Sequence, residues 1–220
     1  MHQLQPQPEV TTSLQFNTGL TSEQSEKTAP VQRLQWTDLK TEVQQVDWLI
    51  LHFNQWFSHL NVVLVRGDFE PEYFPSIDQA PARIQFAHGF FNSALHEISH
   101  WSIAGEKRRL LSDLGYWYAP DGRTAEQQTL FEQVEVKPQA IEWLFSNAFG
   151  RKFQVSLDNL TGDGGNGTTF KDNVYAQVQR YLAGESKLPR DAKHLIECIY
   201  ACVRSGKTLQ SDEFRREMLN

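Results

Sequence analysis

The spacing of apolar residues changes several times along the chain, and each change predicts a different element. From about residue 37 to His59 apolar residues recur at helical spacing, and Thr37 or Asp38 can cap the start of this helix. Residues 61–66 form a short apolar run that is typical of a strand. The prolines within residues 70–75 favour an extended segment over a helix or a central strand. The apolar positions of the first helix are Leu39, Val43, Val46, Trp48, Leu49, Leu51, Phe53, Trp56 and Phe57.

Helical spacing returns in the middle of the chain. It predicts a helix from about Ile84 to Ala104, opened by Pro81, in which Phe91, Leu95 and Ile98 face the core. Residues 107–114 are also predicted to be helical, and a turn is expected at residues 120–122.

The second half of the chain is again mostly helical. Thr124 can cap a helix through Val134, and Pro138 starts or kinks the next one, which ends near Phe149. Residues 153–157 are typical of a strand, residues 162–167 form a glycine-rich loop, and three helices follow near residues 168–183, 190–205 and 210–219. These elements predict an α+β fold, predominantly helical, with one domain over residues 34–220. Residues 1–33, rich in Gln, Thr, Ser and Pro, are expected to be an extended or disordered lead.

Composition and charge argue against several classes of function. The 21 basic and 27 acidic side chains give a net charge of −6, which argues weakly against binding to nucleic acid or to an anionic membrane. The basic stretch at residues 107–109 is interpreted as a solvated helix end. No segment approaches the ~18 apolar residues of a membrane-spanning helix, and the first residues do not resemble a signal peptide. Cys198 and Cys202 are expected to pack in the core, so the chain suits a reducing cytoplasm.

The sequence His96-Glu97-Ile98-Ser99-His100 is the strongest chemical signal in the chain. Two histidines four residues apart lie on one face of a helix, where both imidazoles can hold one metal ion. A third ligand, usually a carboxylate, is expected elsewhere. Glu132 and Glu135 are the candidates, and Glu135 is favoured because Pro138 would free the carbonyl group of residue 134 beside it. His52, His59, His88 and His194 are alternative ligands, and His88 is expected at most to lie near the metal ligands.

Two histidines and one carboxylate are compatible with two kinds of chemistry. A zinc hydrolase keeps one open position for water and would use Glu97 as the general base. A non-haem iron(II) oxygenase keeps several open positions, where dioxygen and substrate can meet. The ligand types alone do not choose between these two classes of enzyme.

A larger set of motifs resembles the bacterial elongation factor P hydroxylase family, over about residues 36 to 205. The stretches that carry this resemblance are residues 67–73, 88–101, 108–109, 113–118, 120–123 and 132–140. The resemblance implies an enzyme that uses iron(II) and dioxygen to hydroxylate a lysine of elongation factor P after that lysine has received a β-lysyl group. It also implies that His96, His100 and Glu135 are the metal ligands and that Glu97 is an acid/base, a neighbour of a ligand or an alternative ligand. The implied fold is metallopeptidase-like (zincin-like), with the ligand helix beside a small sheet.

A long cationic substrate side chain needs a channel with apolar walls and acidic ends. Aromatic residues that could line it are Tyr73, Trp101, Tyr116, Trp117 and Tyr118, and carboxylates that could meet ammonium groups are Glu70, Glu72 and Glu132.

The expected partner is elongation factor P, with no direct nucleic acid and no membrane. A zinc metallopeptidase that holds a peptide on the edge of residues 70–74 is the main alternative, with zinc also a possible surrogate for iron. A non-enzymatic module of the translation machinery is the third.

Overall fold

The computed structural model describes residues 34–115, 124–156 and 167–220. Within these ranges the chain forms five α-helices, three strands and several short 3₁₀ turns, so the predicted mainly helical α+β class is confirmed. The predictions for residues 1–33, for the turn at 120–122 and for most of the loop at 162–167 fall outside the described residues. No helix in the described ranges is long and apolar enough to span a membrane.

The first helix, α1, covers Glu42–Trp56 and begins later than expected. The Thr41 hydroxyl accepts a hydrogen bond from the backbone N–H of Gln44, 3.2 Å away, and the Gln44 side chain accepts one from the N–H of Thr41, 3.1 Å away. This reciprocal pair satisfies two N–H groups that the helix start leaves free. The predicted cap at Thr37 or Asp38 is therefore wrong, because Trp36–Asp38 forms a separate 3₁₀ turn.

A three-stranded sheet follows, built from β1 (Val62–Arg66), β2 (Glu72–Phe74) and β3 (Ala82–Phe86) in the order β1-β3-β2. β1 runs parallel to β3, and β2 runs antiparallel to it. The prediction of helix from Ile84 is wrong here, since Ala82, Ile84 and Phe86 are buried while Arg83 is exposed. That alternation has the period of two that a strand requires, and it was visible in the sequence.

Side chains occupy both outer edges of this sheet. On β1, the carboxamide of Asn54 accepts a hydrogen bond from the N–H of Leu64 (2.7 Å) and donates one to its carbonyl oxygen (3.4 Å). On β2, the N–H of Tyr73 donates to the Asp113 carboxylate, 3.1 Å away. Edge groups satisfied in this way are less available for pairing with another strand.

Helix α2 (Phe91–Ile103) carries the histidine motif and packs against β3 and against α3 (Ala125–Ala148). Phe91, Leu95 and Ile98 are buried, as predicted. Thr124 caps α3 by accepting a hydrogen bond from the N–H of Gln127, also as predicted.

Pro138 does not start a new helix, because α3 is continuous across it. Residues 138–146 are all buried, so packing on this face outweighs the hydrogen bond that proline removes.

Helices α4 (Gly167–Leu182) and α5 (Arg190–Val203) lie close to the predicted ranges. Other expectations are corrected. Residues 107–114 and 210–219 form short 3₁₀ turns, and residues 153–156 are not in a strand. Cys202 is exposed and Cys198 half-buried, because α5 turns the face containing Leu195 and Ile199 toward the core.

The basic stretch at residues 107–109 is not a solvated helix end. The Arg109 guanidinium lies 3.9 Å from the centre of the Trp101 ring, and it is 2.7 Å from a carboxylate oxygen of buried Asp191. Arg109 also donates two hydrogen bonds to the carbonyl oxygen of Trp101, at 2.9 and 3.2 Å. These contacts connect the C-terminal end of α2 to α5.

Candidate metal centre

Three side chains from two neighbouring helices meet at one point. His96 and His100 lie one turn apart on α2, and Glu135 reaches them from α3. The Nε2 atoms of the histidines are 3.1 Å apart, and Glu135 places one oxygen 3.2 Å from His100 Nε2 and the other 3.6 Å from His96 Nε2. Each residue offers a metal-binding atom, and the three atoms lie within 4.8 Å of one another.

These separations fit a shared transition-metal ion. Ligand atoms about 2.1 Å from one ion, at angles near 90–110°, are roughly 3.0–3.4 Å apart. The distances between the His96, His100 and Glu135 donors are close to that range. Two imidazole nitrogens and one carboxylate also form the donor set used by non-haem iron(II) enzymes, while related sets hold catalytic zinc.

A second carboxylate orients the first histidine. Glu142, buried on α3, has an oxygen 2.8 Å from His96 Nδ1. A carboxylate accepts hydrogen bonds, so Nδ1 carries the proton and Nε2 is the atom turned toward His100 and Glu135. Hydrogen bonds of this type fix the tautomer of metal-binding histidines and increase their basicity.

The carboxylates make this site attractive to positive charge. Burial lowers the pKa of His96, but the hydrogen bond and charge of Glu142, together with the charges of Glu135 and Glu97, raise it to about 10. Burial raises the pKa of Glu135, yet the neighbouring His100 and His96 lower it to about 2. In the metal-free protein at neutral pH, Glu135 is therefore ionised and His96 is protonated. A metal ion at Nε2 would replace that proton.

Gln139 connects the carboxylate of Glu135 to the segment after α3. Its side-chain Nε2 lies 3.5 Å from Glu135 and donates to the carbonyl oxygen of Ser156, 2.9 Å away, while its Oε1 accepts from the N–H of Ser156 at 3.1 Å. Gln139 is fully buried. The position of Glu135 is thus tied to the segment that contains Ser156.

Glu97 points into a cavity beside the cluster. The cavity has a volume of about 430 Å³, and His96, Glu97 and Glu142 contribute to its wall. Burial raises the pKa of Glu97, although the charges of His96 and His100 oppose this. Among the described residues, none donates a hydrogen bond to its carboxylate. The remaining residues that line the cavity are Pro71, Asn92, Ser93, Gln154, Val155 and Ser156.

The other predicted site residues lie elsewhere. Glu132 is half-buried and accepts a hydrogen bond from Gln128 at 3.2 Å, and it is not part of the cluster. Tyr73 and Trp101 are buried, with the Tyr73 hydroxyl donating to the carbonyl oxygen of Arg109 at 2.9 Å. Glu70 is exposed and does not line the described cavity.

Further predictions concern residues near these. Glu72 and His88 are exposed and also do not line the described cavity. Tyr116, Trp117 and Tyr118 are outside the described residues. The substrate roles of all these residues stay predictions.

Sequence reasoning missed two residues of the site, Gln139 and Glu142. They follow Glu135 by four and seven residues, and these intervals place all three on one face of a continuous helix. The prediction that Pro138 starts or kinks a helix leaves the relation between Glu135 and residues beyond Pro138 open.

Comparison with known proteins finds similarity over most of the chain. A sequence profile described as elongation factor P hydroxylase matches residues 52–214. A protein of Haemophilus influenzae named elongation factor P lysine hydroxylase is 49% identical over 155 residues, covering 70% of this chain and 86% of its own length.

Proposed function

The chain belongs to the elongation factor P hydroxylase family, and from that premise we propose that it hydroxylates a lysine side chain of elongation factor P. The proposed substrate lysine carries a β-lysyl group, and the proposed cofactor and co-substrate are non-haem iron(II) and dioxygen. The relative from H. influenzae is named for the same reaction on the same protein. We place the reaction in the cytoplasm, where a translation factor acts.

The cluster of His96, His100 and Glu135 is the observation that carries this proposal. Its donor atoms fit one ion, and a two-histidine, one-carboxylate set leaves positions open for dioxygen and substrate. Bound there, iron(II) would supply the activation of dioxygen that insertion of oxygen into a C–H bond requires.

The overall reaction also needs protons and electrons. One oxygen atom enters the C–H bond and the other leaves as water, so two protons and two electrons must come from a reductant. Glu97 lines the cavity next to His96, and burial raises its pKa, so it can carry a proton there. We assign Glu97 the role of moving protons at its carboxylate oxygens. Glu142 holds His96 in the orientation that directs Nε2 toward the metal.

The residues predicted to meet the substrate take different places in this proposal. Glu70 is exposed and Glu132 half-buried, and they are proposed to attract the cationic side chain from outside the cavity. Tyr73 and Trp101 support the site from the core, and Tyr116 keeps its proposed role as a wall of the channel.

The zinc metallopeptidase reading is not favoured. That reading places a peptide on the outer edge of β2, but the N–H of Tyr73 on that edge is bonded to Asp113. The family match also names a hydroxylase. A fold relation to metallopeptidases remains part of the proposal, since α2 follows β3 closely and packs against it.

The test is the intact mass of β-lysylated elongation factor P after incubation with the protein, iron(II) and a reductant in air. A gain of about one oxygen atom is expected, and it should disappear without oxygen and in His96→Ala. If no oxygen is added and the purified protein retains zinc, the peptidase reading would be the better one.

A further inference from the structure

The cavity beside the metal cluster is larger than a lysine side chain needs. At ~30 Å³ per heavy atom, the volume share of a liquid water, a lysine side chain of about five heavy atoms fills on the order of 150 Å³. The cavity holds about 430 Å³. An aminoacyl extension of about nine more heavy atoms brings the occupant to roughly 420 Å³ on the same scale. The space is therefore large enough for an extended side chain as well as for a plain one.

The wall of the cavity is polar and includes two carboxylates and one imidazole. Glu97 and Glu142 are the acidic residues of its described lining, which contains no lysine or arginine. Glu142 is already bonded to His96, whereas the Glu97 carboxylate receives no hydrogen bond from any described residue. The oxygens of Glu97 can therefore accept a hydrogen bond from an ammonium group of an occupant.

Two carboxamides give the same wall the means to recognise an amide. Asn92 on α2 and Gln154 in the segment after α3 both line the cavity and are exposed. Neither has a hydrogen-bond partner within the part of the chain that the structure describes. A carboxamide offers both a donor and an acceptor, which is what an amide bond in the occupant requires.

Hydrogen bonds to α3 hold the segment that carries Gln154. Ser156, two residues later, is bonded through both its N–H and its carbonyl oxygen to Gln139, which also contacts Glu135. Gln154 thus lies two residues from a position that is bonded to Gln139. Since His96 and Glu97 line the same cavity, an occupant bonded to Asn92 and Gln154 also reaches the cluster.

We propose that this cavity is the subsite for the aminoacyl extension of the substrate lysine, and that Asn92 and Gln154 determine specificity by bonding the polar groups of that extension. The inference rests on the proposed function, which supplies the lysine and its extension. It adds the residues that distinguish an extended lysine from a plain one.

The test measures binding rather than turnover. Fluorescence anisotropy would give the Kd of labelled elongation factor P, with and without the extension, for the iron(II)-loaded protein in the absence of oxygen. Asn92→Ala and Gln154→Ala should each weaken binding of the extended form by roughly fivefold, and the double variant by on the order of thirtyfold. Binding of the unextended form and the iron content should not change.

Matched controls are Asn173→Ala on α4 and Gln55→Ala on α1, two exposed carboxamides outside the cavity lining. Both should bind the extended form as the unaltered protein does. The inference is overturned if the double variant binds the extended form with unchanged Kd, or if the unaltered protein does not prefer that form. Failure of the proposed function would show separately, as no added oxygen in the mass assay of the unaltered protein.

Discussion

Glu142 controls how steeply metal binding depends on pH, and the substitution Glu142→Gln isolates this effect. In the metal-free protein the carboxylate of Glu142 holds a positive charge on His96, whose pKa is about 10. A metal ion needs His96 Nε2 without its proton, so metal and proton compete for the same atom. Glutamine keeps an oxygen that can accept the hydrogen bond from Nδ1, but it removes the negative charge.

The effect of this proton competition on metal affinity can be calculated. Because the pKa of His96 is raised, the apparent metal affinity should increase about tenfold for each pH unit from 7 toward the pKa near 10. An unperturbed imidazole, with a pKa of ~6.5, is mostly neutral above pH 7 and gives almost no slope there. In Glu142→Gln the slope between pH 7 and 8.5 should fall toward zero. The metal affinity of this variant at high pH should be lower than that of the unaltered protein by roughly 10- to 100-fold.

The assay is anaerobic titration with cobalt(II), followed by absorbance. It is repeated at pH 7.0, 7.5, 8.0 and 8.5, about half-unit steps across the range in which metal and proton compete for His96. Glu132→Gln is the matched control, because Glu132 lies on the same helix outside the cluster and should leave the slope unchanged. Equal slopes in the unaltered protein and in Glu142→Gln would refute the reasoning. Either Glu142 would not be the charge partner of His96, or His96 would be neutral before the metal binds.

Three further outcomes are expected. Glu135→Ala should abolish iron retention measured by elemental analysis while Glu132→Ala keeps most of it, and the reverse result would make Glu132 the ligand. Gln139→Met removes the two hydrogen bonds that the Gln139 side chain makes to the backbone of Ser156, so it should lower the free energy of unfolding in urea by about 2 kcal/mol, with no change counting against the bridge. Asp191→Ala removes the carboxylate that pairs with half-buried Arg109 and should cost about 3–5 kcal/mol in the same assay without loss of metal, whereas a cost below ~1 kcal/mol would show the pair to be solvated.

The parts of the fold that sequence predicts well are those in which local pattern and packing agree. The start of α3 was predictable because Thr124 and Gln127 form a local cap. Residues 84–86 were misassigned to a helix because the alternation of residues 82–86 is soon followed by a helical pattern, and the strand depends on pairing with β1 and β2. Such non-local pairing is not present in a window of neighbouring residues.

The candidate site also has a part that local sequence predicts and a part that depends on how distant elements pack. The spacing of His96 and His100 places them together on any helix, so the sequence alone brought them to one face. Which carboxylate approaches them depends on how α2 packs against α3, and sequence offered both Glu132 and Glu135. The role of Glu142 required the additional knowledge that α3 continues through Pro138.

Because α3 continues through Pro138, it places three functional side chains of the site on one face. At 3.6 residues per turn, seven residues rotate about 20° short of two full turns and rise about 10.5 Å, so Glu135 and Glu142 lie almost above one another on α3. One therefore meets the Nε2 side of the His96 ring and the other the Nδ1 side. Gln139, between them, binds the segment that walls the cavity. A break at Pro138 would rotate Glu142 away from Glu135 and separate the metal ligand from the residue that orients His96. The burial of residues 138–146 thus stabilises more than the core, because it sets the register in which one helix supplies a ligand, a bridge and an orienting carboxylate.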